Sequence, residues 1–211
     1  MRNWLFDLDN TLYPFESGLF DQVRARIGEY MALHCGVQLG DIESTQRRYR
    51  HQYGSSLAGL MAENLAEPGP FLSFVHDVDY SVIDPNPRLA DALACLTGRR
   101  IIFTNGSTEH AENVLDRLGM TTLFEDVFDI ARADYVPKPN PAPYDRIVRD
   151  YDLEASETVF VEDMARNLAP ARALGMTTVL VTTDPNTAAA EADHVTNDLA
   201  SWLRDAATAL S

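Results

Sequence analysis

A chain of 211 residues, 45% of them aliphatic or aromatic, is long enough to bury a core without disulfides or metal staples. Its formal charge of −15 argues against a nucleic-acid polymer as partner, because phosphate backbones are bound by clustered Lys and Arg. A small phosphorylated ligand stays open, since a local pocket can be positive inside an acidic protein.

The opening NWLFDLD is a short apolar run ending in carboxylates and reads as a buried strand. NTLYPFESG is a turn, with Pro14 unsuited to continuing either element. From Gly18 the pattern changes: Leu19, Val23, Ile27, Tyr30, Met31 and His34 recur at helical spacing up to Gly36. QLGDIESTQRRYRHQYG and SSLAGLMAENLAEPG predict two more helices, separated by Gly54 and stopped by Pro68-Gly69. Arg47, Arg48, Tyr49, Arg50 and Tyr53 form the densest basic-aromatic cluster of the chain, either a ligand-facing surface or a solvated helix face.

Beyond Asp84-Pro85 strands and helices alternate. PRLADALACLTG is a helix, RRIIFTNG a strand, STEHAENVLDRLGM a helix capped by Ser107 or Thr108, and VFDI a short strand. PAPYDRIVRDYDL is a helix with prolines in its first turn, ETVFVED a strand, ARNLAPARALGM a helix and TTVLVT a strand. HVTN is an edge strand before the closing helix DLASWLRDAATAL. About five strands separated by helices imply a Rossmann-like parallel sheet covered on both faces. No repeat appears, and the low-complexity content is a short Ala run at 188–190. Cys35 and Cys95 sit in apolar helical patterns, form no CxxC pair and are expected as buried free thiols. The histidines at 34, 51, 76, 110 and 194 have no ligand spacing and are expected on loops or the surface of the helical segment. No apolar stretch approaches the roughly 20 residues of a membrane span, and no signal-peptide pattern is present, so a cytoplasmic location is the expectation.

In open parallel sheets, ligands bind beyond the carboxyl ends of the strands. Those ends carry Asp7 and Asp9, then Thr104, Asn105 and Gly106, then Glu162 and Asp163, with Lys138 in the loop VPKPNP. Three strand ends, two of them bearing carboxylates and one a hydroxyl, with a lysine nearby suit a phosphate-and-metal site. A carboxylate such as Asp7 can attack phosphorus. Thr104 can bond a phosphoryl oxygen, and Lys138 can offset Asp7 and the incoming phosphate. Asp9 points away from Asp7 if the chain stays extended, whereas a turn at Asn10 redirects it. Two carboxylates about 4 Å apart repel by roughly 4 kcal/mol at an effective dielectric near 20. Lys138 alone cannot offset four carboxylates and a dianion, and Mg2+ with oxygen ligands is the cation that fits.

FDLDNTLYP, IIFTNG, PKPNP and FVEDMARN, in that order, resemble the four motifs of the haloacid dehalogenase-like hydrolase superfamily over residues 6–167. The resemblance implies a catalytic core of residues 1–14 and 86–211 and an inserted helical cap domain over 15–85. It implies Asp7 as nucleophile through an aspartyl-phosphate and Asp9 as general acid and base. Magnesium would take the Asp7 carboxylate, the Asp9 carbonyl and the Asp163 carboxylate, with Glu162 a water-mediated or outer ligand, since the family more often has Asp there. Asp9 separates this pattern from the 2-haloacid dehalogenases of the same fold, which need neither that acid nor a metal. A phospho-accepting receiver would carry its aspartate after a later strand. DLDNTLYP, HQYGSSLAGL and VHDVDYSVIDPNPRL resemble the pyrimidine 5'-nucleotidase branch, implying a pyrimidine mononucleotide, UMP or CMP, as substrate. Asn105, Gly106, Tyr49, Arg50 and Tyr53 are the corresponding substrate-binding candidates. A sugar-phosphate or broad-specificity phosphatase is the alternative, and the chain is expected as a monomer or homodimer.

Overall fold

The computed structural model describes residues 3–184 and 192–209. The alanine run at 188–190 lies outside them. Six strands, β1 (Asn3–Phe6), β2 (Arg99–Phe103), β3 (Asp126–Phe128), β4 (Thr158–Glu162), β5 (Thr177–Val181) and β6 (His194–Thr196), form one parallel sheet in the order β3-β2-β1-β4-β5-β6. Phe6 pairs with Ile102 on one side and Val161 on the other, so the ends of β1, β2 and β4 lie level with each other.

Side chains alternate across a strand, and the core divides accordingly. Trp4, Phe6, Ile102, Val159, Val161 and Val179 pack under α5 (Pro87–Ala94), α6 (Thr108–Leu118) and α9 (Leu199–Ala209). Leu5, Ile101, Phe103, Phe160 and Leu180 face α7 (Pro141–Asp150) and α8 (Ala165–Ala173). Both faces are covered, as a parallel sheet requires. The caps follow the sequence signals: Ser107 accepts from the His110 N–H, Asn86 precedes Pro87, and Asn140 precedes Pro141.

Between β1 and β2 the chain forms α1 (Leu19–His34), α2 (Ile42–Tyr53), α3 (Ser56–Ala62) and α4 (Pro68–Val75) ahead of α5. Tyr30, Met31, Tyr49, Leu57, Leu60, Phe71 and Val75 make a separate apolar cluster among these helices.

Three local expectations are corrected. Pro68-Gly69 does not stop a helix but opens α4, because proline's fixed φ and missing N–H suit a first turn. Cys95 is exposed and Cys35 half-buried: α5 ends at Ala94, so the apolar period no longer applies at Cys95. His110 is not on a loop or the surface of the helical segment: it is buried in the first turn of α6, and its ring stacks on that of His76, which lies in the turn after α4.

Candidate active site

Because β1 lies between β2 and β4, the residues that follow these three strands converge. Asp7 continues the ladder, its N–H donating to the Val161 carbonyl at 2.9 Å. Lys138, 1% exposed, reaches in from the loop before α7. Its ammonium donates to Asp7 Oδ1 at 2.8 Å, Glu162 Oε2 at 2.8 Å and the Phe103 carbonyl at 2.7 Å. An ammonium has three protons, so every donor is matched and the side chain has one geometry. Burial alone would lower this lysine's pKa, but Asp7 and Glu162 outweigh it and hold the ammonium above its ordinary value.

The carboxylates carry the opposite imbalance. Burial, then the neighbouring Glu162, pushes Asp7 up to about 7 despite Lys138. Burial, Glu162 and Asp7 push Asp163 up to about 9. One oxygen from each of Asp7, Glu162 and Asp163 lies within 4.8 Å of the others. A hard divalent cation would relieve this excess of negative charge, and an all-oxygen donor set suits magnesium. Glu162 is the most committed of the three, since Oε1 also accepts from Asn167 Nδ2 at 3.0 Å and the Met164 N–H at 3.3 Å.

Asp9 is not one of these three, although its charge also bears on Asp7. Asn10 adopts φ 60°, the turn that redirects the chain. Asp9 Oδ1 accepts from the Tyr13 hydroxyl at 2.5 Å and from His110 Nε2 at 2.8 Å. Burial would raise its carboxyl, but the charge and hydrogen bond of His110, with the Tyr13 hydroxyl, hold it below the usual carboxylate range. Gly106 sits against the same group: a Cβ there would stand 3.3 Å from His110 Cδ2 and 3.8 Å from Asp9 Oδ2. An alanine there would press on the His110 ring and the Thr104 hydroxyl, with Asp9 at ordinary contact distance.

Thr104 is buried at the end of β2, its Oγ1 accepting from the Gly106 N–H at 2.9 Å. Asn105 does not present its amide to a ligand. It donates to the Lys138 carbonyl at 3.3 Å and accepts from the Lys138 N–H at 2.9 Å, clamping the lysine loop onto β2. Tyr49 is likewise withdrawn: its ring is 1% exposed and its hydroxyl donates to Glu63 Oε2 at 2.6 Å. Arg50 and Tyr53 are half-buried one turn apart at the end of α2. That end rests on the lysine loop, where a Cβ at Gly54, φ 87°, would meet Pro137 Cγ at 3.0 Å. Burial, then Arg24 and Arg166, lowers the Arg50 pKa, which marks a cation facing other cations.

Sequence reasoning missed Thr11, Tyr13, Tyr80 and His110. Thr11 donates to Asp7 Oδ2 at 3.0 Å. His110 had one readable signal, its place in the first turn of the helix that follows the Thr104 strand end.

The sequence model of one family, described as haloacid dehalogenase-like hydrolase, matches residues 1–175. Phosphate metabolism protein 8 of Saccharomyces cerevisiae is 22% identical over 191 residues, 82% of this chain and 59% of that protein. The chain therefore spans about three-fifths of the length of that relative. An HAD phosphatase from Thermococcus onnurineus is 19% identical with a TM-score of 0.67, covering 98% of this chain and 97% of that one. L-2-haloacid dehalogenase from Xanthobacter autotrophicus is 19% identical with a TM-score of 0.61, covering 97% of each chain. At such identities the two structures share the fold, and the choice of chemistry rests on the site.

Proposed function

The chain belongs to the haloacid dehalogenase-like hydrolases, and from that premise we propose that it is a magnesium-dependent phosphomonoesterase working through a phosphorylated Asp7. The observation that carries this reading is the separation of two carboxylate environments. Asp7, Glu162 and Asp163 lie together, with Lys138 bound to the first two, while Asp9 is hydrogen-bonded independently by Tyr13 and His110. A dehalogenase has no use for the second environment.

In this mechanism an Asp7 oxygen attacks phosphorus, the P–O ester bond breaks, and the departing alkoxide takes a proton from Asp9. Water then attacks the phosphorus of the aspartyl-phosphate and gives its proton to Asp9, while the Asp7 carboxylate leaves and inorganic phosphate is released. Lys138 holds Asp7 in line, and Thr104 donates to a phosphoryl oxygen. Asp7 and Asp163 would hold the magnesium with the Asp9 carbonyl, while Glu162 orients Lys138 from behind. When bound, the cation supplies charge neutralisation on the transferring phosphoryl group.

The substrate reading is a pyrimidine mononucleotide, supported by the cap-segment likeness and by the placement of Arg50 and Tyr53 beside the lysine loop. Helices α1–α4 then serve as the cap, supplying contacts outside the phosphoryl site, and a sugar phosphate is the alternative. Among the described residues no helix is long and apolar enough to cross a membrane. A phosphate-release panel of UMP, AMP, a hexose phosphate and p-nitrophenyl phosphate, with and without Mg2+, tests the proposal. Release that stops in EDTA, returns with Mg2+ and returns poorly with Ca2+ is the expected outcome. Undiminished release in chelator sinks the metal assignment, and failure on every ester sinks the phosphatase.

A further inference from the structure

The Asp9 carboxylate is tied to the return segment between α4 and α5, outside the four superfamily motifs. His110 Nε2 meets Asp9 Oδ1 at 2.8 Å, and its Nδ1 lies 3.0 Å from the Tyr80 hydroxyl. Tyr80 in turn donates to the His76 carbonyl at 2.9 Å. A carbonyl only accepts, so the single hydroxyl proton of Tyr80 goes to His76 and its oxygen faces Nδ1 as acceptor. Nδ1 therefore donates to Tyr80, and Nε2 at the other edge of the ring faces Asp9 Oδ1. The His76 ring lies on the His110 ring, centroids 4.3 Å apart and 13° from parallel, and its Nδ1 is 2.9 Å from Ser107 Oγ, the cap of α6. His110, itself buried, is therefore fixed by two edge contacts and one face.

We infer that His110 is the positioning residue for the Asp9 proton transfer, and that Tyr80 and His76 of the return segment hold it in register. The inference rests on the phosphatase reading above, with Asp9 as the acid. Geometry explains the need: Asp9 follows a turn at Asn10 and would otherwise be oriented by Tyr13 alone. A carboxyl shared between two donors from different segments keeps one rotamer, and proton transfer depends on that placement. The arrangement also couples the acid to the chain that leaves the helical insert, since His76 is the residue after α4 and Tyr80 follows within one turn.

The test compares kcat/KM, which reports steps through departure of the leaving group, on two esters. One is the fastest alkyl phosphate of the panel, whose alkoxide needs a proton; the other is p-nitrophenyl phosphate, whose leaving group does not. His110→Ala is expected to lose about tenfold or more on the alkyl ester and less than about threefold on the aryl ester. His110→Gln, which keeps a donor within reach of Asp9, is expected to recover most of that loss. Tyr80→Phe keeps the ring and removes the hydroxyl, and is expected to show the same preference at smaller size. This variant carries the test if His110→Ala does not fold. Equal losses on both esters, or none, overturn the inference. Asp9→Asn measured alongside separates the two readings. If it falls selectively on the alkyl ester while the His110 and Tyr80 variants do not, Asp9 stands and the positioning role fails. If Asp9→Asn shows no selectivity, the acid assignment fails and the inference falls with it.

Discussion

The strand-end site and the Arg47–Tyr53 stretch of α2 both concentrate charge, but they differ in how that charge is matched. Around Lys138 every donor has an internal partner, and the surrounding carboxylates exceed the available cations. Along α2 the balance is the reverse. Arg47 pairs with Glu43 one turn back, and Arg48 and Tyr49 converge on Glu63. Arg50 meets Gln46 Oε1 at 3.5 Å, beside other arginines. The first region is organised before any ligand arrives, which is what electrostatic preorganisation asks of a reacting centre. The second is a helix whose outer charges are paired. The proposed function assigns chemistry to the first and selectivity to the inner edge of the second.

The sharpest way to break this division is Asp7→Asn. An amide cannot form an acyl phosphate, so turnover is expected to fall below detection in the phosphate-release assay. The same change is expected to raise Tm in chelator. The Asp7 pKa is raised to about 7 in the folded protein, so ionising the group above its ordinary value costs stability, and an uncharged amide removes that cost. Residual turnover near wild type, or a large drop in metal-free Tm, contradicts the account of the site.

A smaller effect separates the residues of α2. Tyr53→Ala or Arg50→Ala is expected to shrink the preference for UMP over AMP by about tenfold while sparing p-nitrophenyl phosphate, as loss of one stacking or hydrogen-bonding contact does. Tyr49→Ala is expected to act differently, lowering stability by about 3–5 kcal/mol through the cavity it leaves, on all substrates alike. A wild type that cleaves UMP, AMP and a hexose phosphate equally removes the nucleotidase reading and leaves the phosphatase.

The smallest effect belongs to Arg47→Ala. Its ion pair with Glu43 is solvent-exposed, with side chains 70% and 85% accessible, and such pairs contribute little. kcat/KM is expected to stay within about twofold on every ester. A selective loss on nucleotides would move the ligand surface to the outer face of α2.

The contrast between the two regions also explains what could be read in advance. Asp7, Thr104, Glu162 and Asp163 are legible because each lies next to a strand end, and a parallel sheet brings strand ends together whatever the intervening loops do; Lys138 is legible as the lysine of a proline-rich loop ahead of α7. A parallel sheet of about five strands was expected from the same alternation of elements, and six strands form it. Contacts between distant segments were hidden. His110 reaches Asp9 across a separation of 101 residues, and no spacing in the chain signals it. Asn105 looked like a ligand contact, but its partner is the backbone of Lys138, 33 residues away. Tyr49 and Arg50 are neighbours in sequence, yet successive helix positions point about 100° apart, so one enters the cluster of the insert and the other its edge. Composition marks such a stretch as basic and aromatic without saying which of its residues remain free.

The central claim is that Asp7 carries the phosphoryl group. Rapid acid quench during turnover of the fastest substrate, followed by peptide mass analysis, addresses it directly. The account predicts a peptide containing Asp7 heavier by one phosphoryl group, labile to hydroxylamine, present with Mg2+ and absent in Asp7→Asn. Full turnover with the label on another residue, or with direct transfer to water and no labelled enzyme under single-turnover conditions, would contradict it.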